Sequence, residues 1–138
     1  MQPSDVLTTA ALENVRRLTE RNRQDSGVDS AVARPWPIRS VGIIGAGMMG
    51  AAIAAAHVQY GLPVVICDAD EARAKELVGR LVQATADLAA VAHADLVLES
   101  IIETLSAKQG LYAQLQAHLG ADTILTSNTS TIPITRLA

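Results

Sequence analysis

The first 37 residues carry the hydrophobic pattern of one short helix followed by a polar segment. The apolar positions recur three or four residues apart at Leu7, Ala11, Val15 and Leu18. This spacing predicts an amphipathic helix over about residues 5–22, with Ser4 as its candidate N-cap. The segment 23–37 is polar and is interrupted by one glycine and two prolines. We interpret it as a linker that lies outside the main core.

From residue 38 the pattern changes to short β-branched runs that alternate with alanine-rich helical segments. Such alternation is typical of a parallel sheet covered by helices, and the nearly continuous apolar runs suit strands buried on both faces. The predicted strands are 41–44, 64–67, 96–98 and 123–126. The predicted helices are 48–60, 71–81, 87–91 and 106–118. The expected fold is a Rossmann-like, doubly wound α/β sheet over residues 38–138, incomplete at its C-terminal side.

A glycine-rich turn, GAGMMG, lies between the first predicted strand and the first predicted helix. In this setting Gly45 allows a tight turn, Gly47 lets the backbone approach a pyrophosphate, and Gly50 lets the helix lie against the strand. The helix that begins with Met48 and Met49 directs its free N–H groups and the positive end of its dipole at the anion. The spacing alone is a weak signal, but its position after a strand and before a helix predicts a dinucleotide site.

The second predicted strand ends at Asp68, 18 positions after Gly50. This is close to the separation of about 20 residues expected for a carboxylate that binds the adenosine ribose. Asp68 can accept hydrogen bonds from both ribose hydroxyls and would repel a 2′-phosphate, which favours NAD over NADP. Arg73 lies nearby and weakens that preference somewhat. The expected cofactor is NAD, and the alternative is a structural turn with an exposed aspartate.

Composition excludes several other classes of protein. A chain of 138 residues with 49% hydrophobic residues can bury one core, and a net charge of -3 with 2% aromatic residues offers nucleic acid neither a basic field nor a stacking surface. No apolar run approaches the ~18 residues that span a bilayer, and no secretory signal is present, so we expect a cytoplasmic protein. Acidic residues among the N-terminal arginines argue against an organellar presequence. The single Cys67 has no metal-ligand partner, and we expect it to be buried and no metal to bind.

Three segments resemble the N-terminal domain of the 3-hydroxyacyl-CoA dehydrogenases: IRSVGIIGAGMMGAAIA, ADLVLESIIETLSAKQGLYAQL and TILTSNTSTIPITRLA. The resemblance covers about a hundred residues, from position 38 to the end. It implies that Glu103 and Lys108 lie by the nicotinamide end of the cofactor. Their alternative interpretation is a carboxylate at a helix start and a solvated lysine. We expect Glu99 to help structure the crevice.

The SNTS segment follows the fourth predicted strand, at the edge of a parallel sheet where ligands bind. The resemblance implies that Ser127 orients the 3-hydroxyl or carbonyl oxygen of the substrate and that Asn128 gives polar support. We take these two residues as the candidate catalytic pair. Polar turn chemistry alone would also produce such a cluster. Residues 131–133 have the pattern of a helix start.

The sequence departs from this family in two regions. The family's general base is a histidine oriented by a glutamate, and both belong to a part that follows residue 138. We interpret the histidines of this chain, His57, His93 and His118, as surface or packing residues. The family's helical hairpin is drastically shortened between positions 68 and 94, which removes expected contacts to CoA. The chain is therefore expected to be a fragment. Acyl-CoA would bind only with a C-terminal substrate and dimerisation domain, in a homodimer or a multidomain protein.

The leading hypothesis is the NAD-binding portion of a 3-hydroxyacyl-CoA dehydrogenase of fatty acid β-oxidation, inactive as the isolated chain. One alternative is a non-catalytic NAD-binding or scaffolding module. Another is a different nicotinamide-dependent hydroxyacid dehydrogenase, which would leave Glu103, Lys108 and the SNTS segment unexplained.

Overall fold

A computed structural model of the chain describes residues 9–24 and 36–137. The chain divides into two units, Met1–Trp36 and Pro37–Ala138. The first unit contains helix α1, Thr9–Gln24, which overlaps the helix that the apolar spacing predicts. The candidate cap Ser4 and most of the predicted linker lie outside the described residues.

The second unit is built on five short strands and four helices. The strands are β1 Val41–Ile44, β2 Val64–Cys67, β3 Val82–Thr85, β4 Leu96–Glu99 and β5 Ile124–Ser127. The helices are α2 Met48–Gln59, α3 Glu71–Lys75, α4 Leu88–Ala92 and α5 Leu105–Leu115, and a 3-10 turn follows at Ile134–Arg136.

All neighbouring strands are parallel, and their order across the sheet is β3-β2-β1-β4-β5. The chain runs outward from β1 to β3, then crosses back to place β4 on the other side of β1. This reversal between β1 and β4 is the switch point at which doubly wound sheets open a ligand crevice at the carboxyl ends of their strands. The predicted Rossmann-like α/β fold is confirmed.

The prediction of four strands is wrong because it omits β3. The sequence of β3 is VQAT, and only its first residue, Val82, is buried. An edge strand of this kind has no apolar run to mark it. The predicted helix 71–81 is correspondingly too long, since α3 ends at Lys75 and the chain turns through Gly79, which bridges back to Val82. The last predicted helix also ends early, at Leu115.

The core lies on both faces of the sheet. One face packs the side chains Val41, Ile43, Ala54, Val64, Ile66 and Ala74, and the other packs Ile44, Cys67, Val91, Val97, Leu111 and Leu115. All four residues of β1 are buried because this strand is central. A Cβ atom at Gly42 would lie 2.5 Å from the carbonyl oxygen of Val91, so α4 packs directly on the β1 backbone.

Asp95 ties together the amino ends of β1 and β4. Its Oδ2 accepts hydrogen bonds from the backbone N–H groups of Arg39, at 2.8 Å, and Ser40, at 3.0 Å. The Ser40 hydroxyl oxygen accepts in return from the Asp95 N–H at 3.1 Å. The backbone N–H of Arg39 makes the largest contribution to lowering the pKa of the Asp95 carboxyl, and the donors on Ser40 add to it. The two strands that flank the crevice are therefore fixed in register at their starting ends.

Among the helices within residues 9–24 and 36–137, none combines the length and the apolar character needed to cross a bilayer.

Candidate functional site

At two positions of the turn after β1, neighbouring backbone atoms leave no room for a side chain, so only glycine fits. Gly45 has a φ of 105°, and a Cβ atom there would lie 2.4 Å from the carbonyl oxygen of Ser100. A Cβ atom at Gly50 would lie 1.8 Å from the carbonyl oxygen of Gly45. The Gly45 N–H donates to the carbonyl oxygen of Cys67 at 2.8 Å, which joins the turn to the end of β2. The turn is thus closely packed on the side that faces the sheet.

Gly47 faces open space instead. It is the N-cap of α2, and apart from its own atoms and those of its two chain neighbours, no heavy atom lies within 4 Å of where its Cβ would be. The first N–H groups of a helix have no partner within the helix, so those that follow Gly47 are free to bind an anion. Met48 and Met49, the first two residues of α2, are 84% and 48% exposed. The turn fits a pyrophosphate because a side chain at Gly47 would fill this space.

Asp68 follows β2 and points its carboxylate at the glycine turn. Its Oδ2 accepts from the backbone N–H of Ala46 at 2.6 Å, and its Oδ1 accepts from that of Asp70 at 2.8 Å. The side chain is only 11% exposed. Each carboxylate oxygen still has lone-pair capacity for a ribose hydroxyl. The Arg73 guanidinium lies 4.0 Å from Asp68 and 3.7 Å from Asp70, held between the two carboxylates.

A cavity of about 550 Å³ opens beside this carboxylate. Its lining combines the glycine turn, the ends of β2 and β4, and residues of α4 and α5, among them Gly47, Asp68, Leu88, Ile101 and Gln114. Apolar walls with a few polar groups suit a flat ring that is joined to a polar sugar. The cavity therefore extends the pyrophosphate and ribose positions into a pocket of nucleotide size.

A buried carboxylate, Glu99, organises the other side of the crevice. Glu99 ends β4 and is fully buried. Its Oε1 accepts from Lys108 Nζ at 2.6 Å and from the Ile101 N–H at 2.7 Å. Its Oε2 accepts from Ser127 Oγ at 2.6 Å and from the Tyr112 hydroxyl at 3.3 Å. One carboxylate thus joins β4, α5 and β5, and burial raises the pKa of the Tyr112 hydroxyl beside it.

Glu103 is the partly exposed member of the same cluster, with 40% of its side chain accessible. It lies 3.2 Å from Lys108 Nζ and accepts hydrogen bonds from the hydroxyls of Thr129 and Thr131. The Thr129 hydroxyl and then that of Thr131 and the Lys108 ammonium lower the pKa of Glu103 to about 2. Burial by itself would lower the pKa of Lys108, but hydrogen bonds to Glu99 and Glu103 outweigh it and raise that pKa. Glu103 and Lys108 are therefore both charged at neutral pH.

The SNTS segment meets this cluster at the carboxyl end of β5. Ser127 donates its hydroxyl hydrogen to Glu99, and its oxygen accepts from the Thr129 N–H at 3.2 Å. The exposed Asn128 directs its side-chain amide to the Ser100 hydroxyl at 3.4 Å, and its backbone N–H donates to the Glu99 carbonyl oxygen at 2.8 Å. Of the predicted site residues, Glu103, Lys108 and Ser127 thus share one hydrogen-bonded cluster, whereas the glycine turn and Asp68 form another. Their catalytic and binding roles stay predictions.

The sequence interpretation did not find Tyr112, Thr129 or Thr131 as partners of the two glutamates. These hydrogen bonds join residues 13 to 28 positions apart, so no local sequence pattern marks them. The alternative interpretation of Lys108 as a solvated lysine is wrong, because its side chain is 1% exposed. Cys67 is buried as expected, and burial raises the pKa of its thiol to about 11.

None of the described histidines is hydrogen-bonded to the Glu99 cluster, and the described residues form no candidate metal site. His57 is half-buried and bonds through Nδ1 to the carbonyl oxygen of Ile53, whereas His93 and His118 are exposed. Within residues 9–24 and 36–137, no group of three or more His, Cys, Asp or Glu side chains could hold a metal ion.

Several solved structures share this fold. The chain is 30% identical to (S)-3-hydroxybutyryl-CoA dehydrogenase from Ralstonia eutropha, with a TM-score of 0.66 over 73% of this chain and 44% of that one. It is 28% identical to 3-hydroxybutyryl-CoA dehydrogenase from Escherichia coli, with a TM-score of 0.69 over 74% and 27%. The dehydrogenase part of multifunctional enzyme 1 from C. elegans, at 24% identity and a TM-score of 0.71 over 82% and 31%, shares the fold. The chain spans less than half the length of each.

A family model identifies the sequence more directly. The model described as 3-hydroxyacyl-CoA dehydrogenase, NAD binding domain, matches residues 40–83 and 76–138, which together include the glycine turn, Asp68 and the whole Glu99 cluster. The family's cofactor, NAD, agrees with the one that the glycine turn and Asp68 predict. The chain belongs to the family of NAD-binding domains of the 3-hydroxyacyl-CoA dehydrogenases.

Proposed function

We propose that this chain is the NAD-binding part of an enzyme that transfers hydride between NAD and a 3-hydroxyacyl-CoA. The observation that carries the proposal is the open space at Gly47, at the start of α2, beside an Asp68 carboxylate that is hydrogen-bonded to the same turn. Relatives that are named as 3-hydroxybutyryl-CoA dehydrogenases support the substrate class.

The adenosine half of the cofactor would lie on the β1 and β2 side of the crevice. Backbone N–H groups following Gly47, including those of Met48 and Met49, would bind the pyrophosphate, and Asp68 would accept the ribose hydroxyls. Asp68 would also repel a 2′-phosphate, which favours NAD. Arg73 does not cancel this preference because it is already held by two carboxylates.

The nicotinamide half would lie over the carboxyl ends of β4 and β5, beside Glu103, Lys108, Ser127 and Asn128. NAD supplies the hydride-accepting ring when it is bound. Lys108 holds Glu103 in position through their ion pair. Since Ser127 donates its hydrogen to Glu99, its oxygen would serve a substrate hydroxyl as a hydrogen-bond acceptor. Asn128 would provide polar support at the rim.

A proton acceptor for the substrate hydroxyl is the part of the chemistry that this cluster does not supply. None of the described histidines, His57, His93 or His118, is hydrogen-bonded to it. We therefore expect the 138-residue chain by itself to bind NAD without oxidising a 3-hydroxyacyl-CoA. In the whole protein we place the reaction in fatty acid β-oxidation in the cytoplasm. Acyl-CoA contacts would come from a further domain, in a homodimer or a multidomain protein.

The decisive experiment is calorimetric titration of the purified chain with NAD. The wild type should bind, and Gly47→Val should bind at least tenfold more weakly, because valine fills the space meant for phosphate. Gly79→Val is the matched control, since Gly79 also has no atom within 4 Å of its Cβ position but lies in the turn before β3. Absence of NAD binding by the wild type would contradict the proposal, as would equal loss in both variants.

A further inference from the structure

Glu99, Glu103 and Lys108 form a charged cluster on the side of the crevice where the nicotinamide half of the cofactor would bind. Asp68 follows β2, on one side of the reversal between β1 and β4, whereas Glu103 and Ser127 follow β4 and β5 on the other side. A dinucleotide bound at such a reversal extends across it, with its two nucleosides on opposite sides. If the adenosine ribose is at Asp68, the nicotinamide ring falls beside the cluster. This placement rests on the proposed function.

The cluster carries one uncompensated negative charge. Glu99 and Lys108 are buried at 0% and 1% exposure and neutralise each other at 2.6 Å. Glu103 adds a second carboxylate at 40% exposure. Across residues 9–24 and 36–137, Lys108 is the only cation within ion-pair distance of either carboxylate. Two carboxylates and one ammonium leave a net charge of about -1, and its accessible part is at Glu103.

Glu103 cannot easily turn this charge away from the crevice. The hydroxyls of Thr129 and Thr131 both donate to its Oε1, whereas Lys108 contacts its Oε2. Its lowered pKa, near 2, keeps it ionised throughout the neutral range. The charge is therefore fixed in position and present under all ordinary conditions, and one side of it is shielded from solvent by protein.

The two redox forms of the cofactor differ in charge at the ring. The nicotinamide of NAD⁺ is a cationic pyridinium, and the addition of hydride, a proton with two electrons, makes the neutral dihydropyridine of NADH. A fixed negative charge beside the ring attracts the first form and not the second. We propose that the net negative charge presented by Glu103 makes this site bind NAD⁺ in preference to NADH. Bound NADH is then a stronger hydride donor than free NADH, because giving up hydride restores the favourable charge pair.

The test is the ratio of the two dissociation constants, measured by calorimetry for NAD⁺ and by fluorescence for NADH. In Glu103→Gln, which keeps the size of the side chain and an oxygen for the two threonines, NAD⁺ should bind about two- to fivefold more weakly. NADH affinity should be unchanged. Asp122→Asn is the matched control. It removes the same charge from the loop before β5, at the opposite end of that strand.

Added salt provides a second measurement that does not depend on a variant. Raising the ionic strength from about 0.05 M to 0.5 M should reduce the wild-type preference for NAD⁺, and Glu103→Gln should show a smaller change. An equal loss of affinity for both dinucleotides in Glu103→Gln would overturn the inference and assign Glu103 to a part that they share, such as the ribose. An unchanged ratio would also overturn it. Failure of the wild type to bind either dinucleotide would instead overturn the proposed function itself.

Discussion

Lys108 Nζ lies 2.6 Å from Glu99 Oε1, and neither side chain is more than 1% exposed. Glu99 also accepts from Ile101, Tyr112 and Ser127, so its charge is fully hydrogen-bonded. A buried ion pair stabilises the fold little more than an apolar pair of the same size does. Removal of one partner, however, destabilises the fold strongly because it leaves a buried charge without compensation. The stability of the fold should therefore depend strongly on both members of the pair.

Lys108→Met should lower the free energy of unfolding by about 3–5 kcal/mol, because it leaves Glu99 buried without its cation. Urea denaturation of the variant and of the wild type measures this difference in the free energy of unfolding. Lys75→Met is the control, since Lys75 pairs with Glu71 at 2.9 Å with both side chains more than half exposed, and its loss should cost less than about 1 kcal/mol. Equal effects of the two substitutions would contradict the importance given to burial.

Gly50→Ala should prevent stable folding, whereas Gly47→Ala should leave stability nearly unchanged. The added Cβ at position 50 would lie 1.8 Å from the carbonyl oxygen of Gly45, a backbone atom that cannot move without opening the turn. At position 47 it meets nothing. Thermal unfolding monitored by circular dichroism separates the two variants. A Gly50→Ala protein with wild-type stability would show that α2 lies further from the turn than described.

Asp68→Ser should weaken NAD binding by roughly 10- to 100-fold, since the ribose loses a charged hydrogen-bond acceptor. The same change removes one of the two carboxylates that hold Arg73, so the ratio of NADP to NAD affinity should rise. Titration with both dinucleotides measures that ratio. Adding Arg73→Ala to Asp68→Ser should reverse the gain for NADP, and a persistent gain would mean that Arg73 is not its source.

Because the thiol of Cys67 is buried, we expect the folded chain to lose stability at high pH. Burial, reinforced by the negative charges of Asp68 and Asp87, raises the pKa of this thiol from 9.0 to about 11 in the folded chain. Because the folded pKa lies above the unfolded one, the neutral thiol contributes its full stability below about pH 9. That contribution is lost as the pH rises towards 11.

Urea denaturation at pH 8 and pH 10.5 tests this window in the wild type and in Cys67→Ala. The wild type should lose more stability than the variant between the two pH values. At pH 8 the native thiol should also react with iodoacetamide far more slowly than it does in urea. Parallel loss of stability in both proteins would assign the alkaline effect to other groups.

Local patterns in the sequence predict most of the sheet and the glycine turn. The buried strands are continuous apolar runs, and the turn is marked by glycines at fixed spacing. Strand β3 could not be predicted in this way, because an edge strand of sequence VQAT has no such run. The family resemblance implies a site role for Lys108 but does not predict its burial, since a lysine in a helix is normally solvated. Its partner Glu99 is nine residues away and lies on a different element, a contact that only the fold determines.

The bond between Ser127 and Glu99 also bears on how the chain folds. It joins residues 28 positions apart, and α5 lies between them. A growing polypeptide that has emerged only as far as α5 holds Glu99 and Lys108 but lacks the strand that covers them. Docking of β5 then completes the hydrogen bonding of the carboxylate and pairs the free edge of β4. This half of the crevice should accordingly assemble only once β5 has docked.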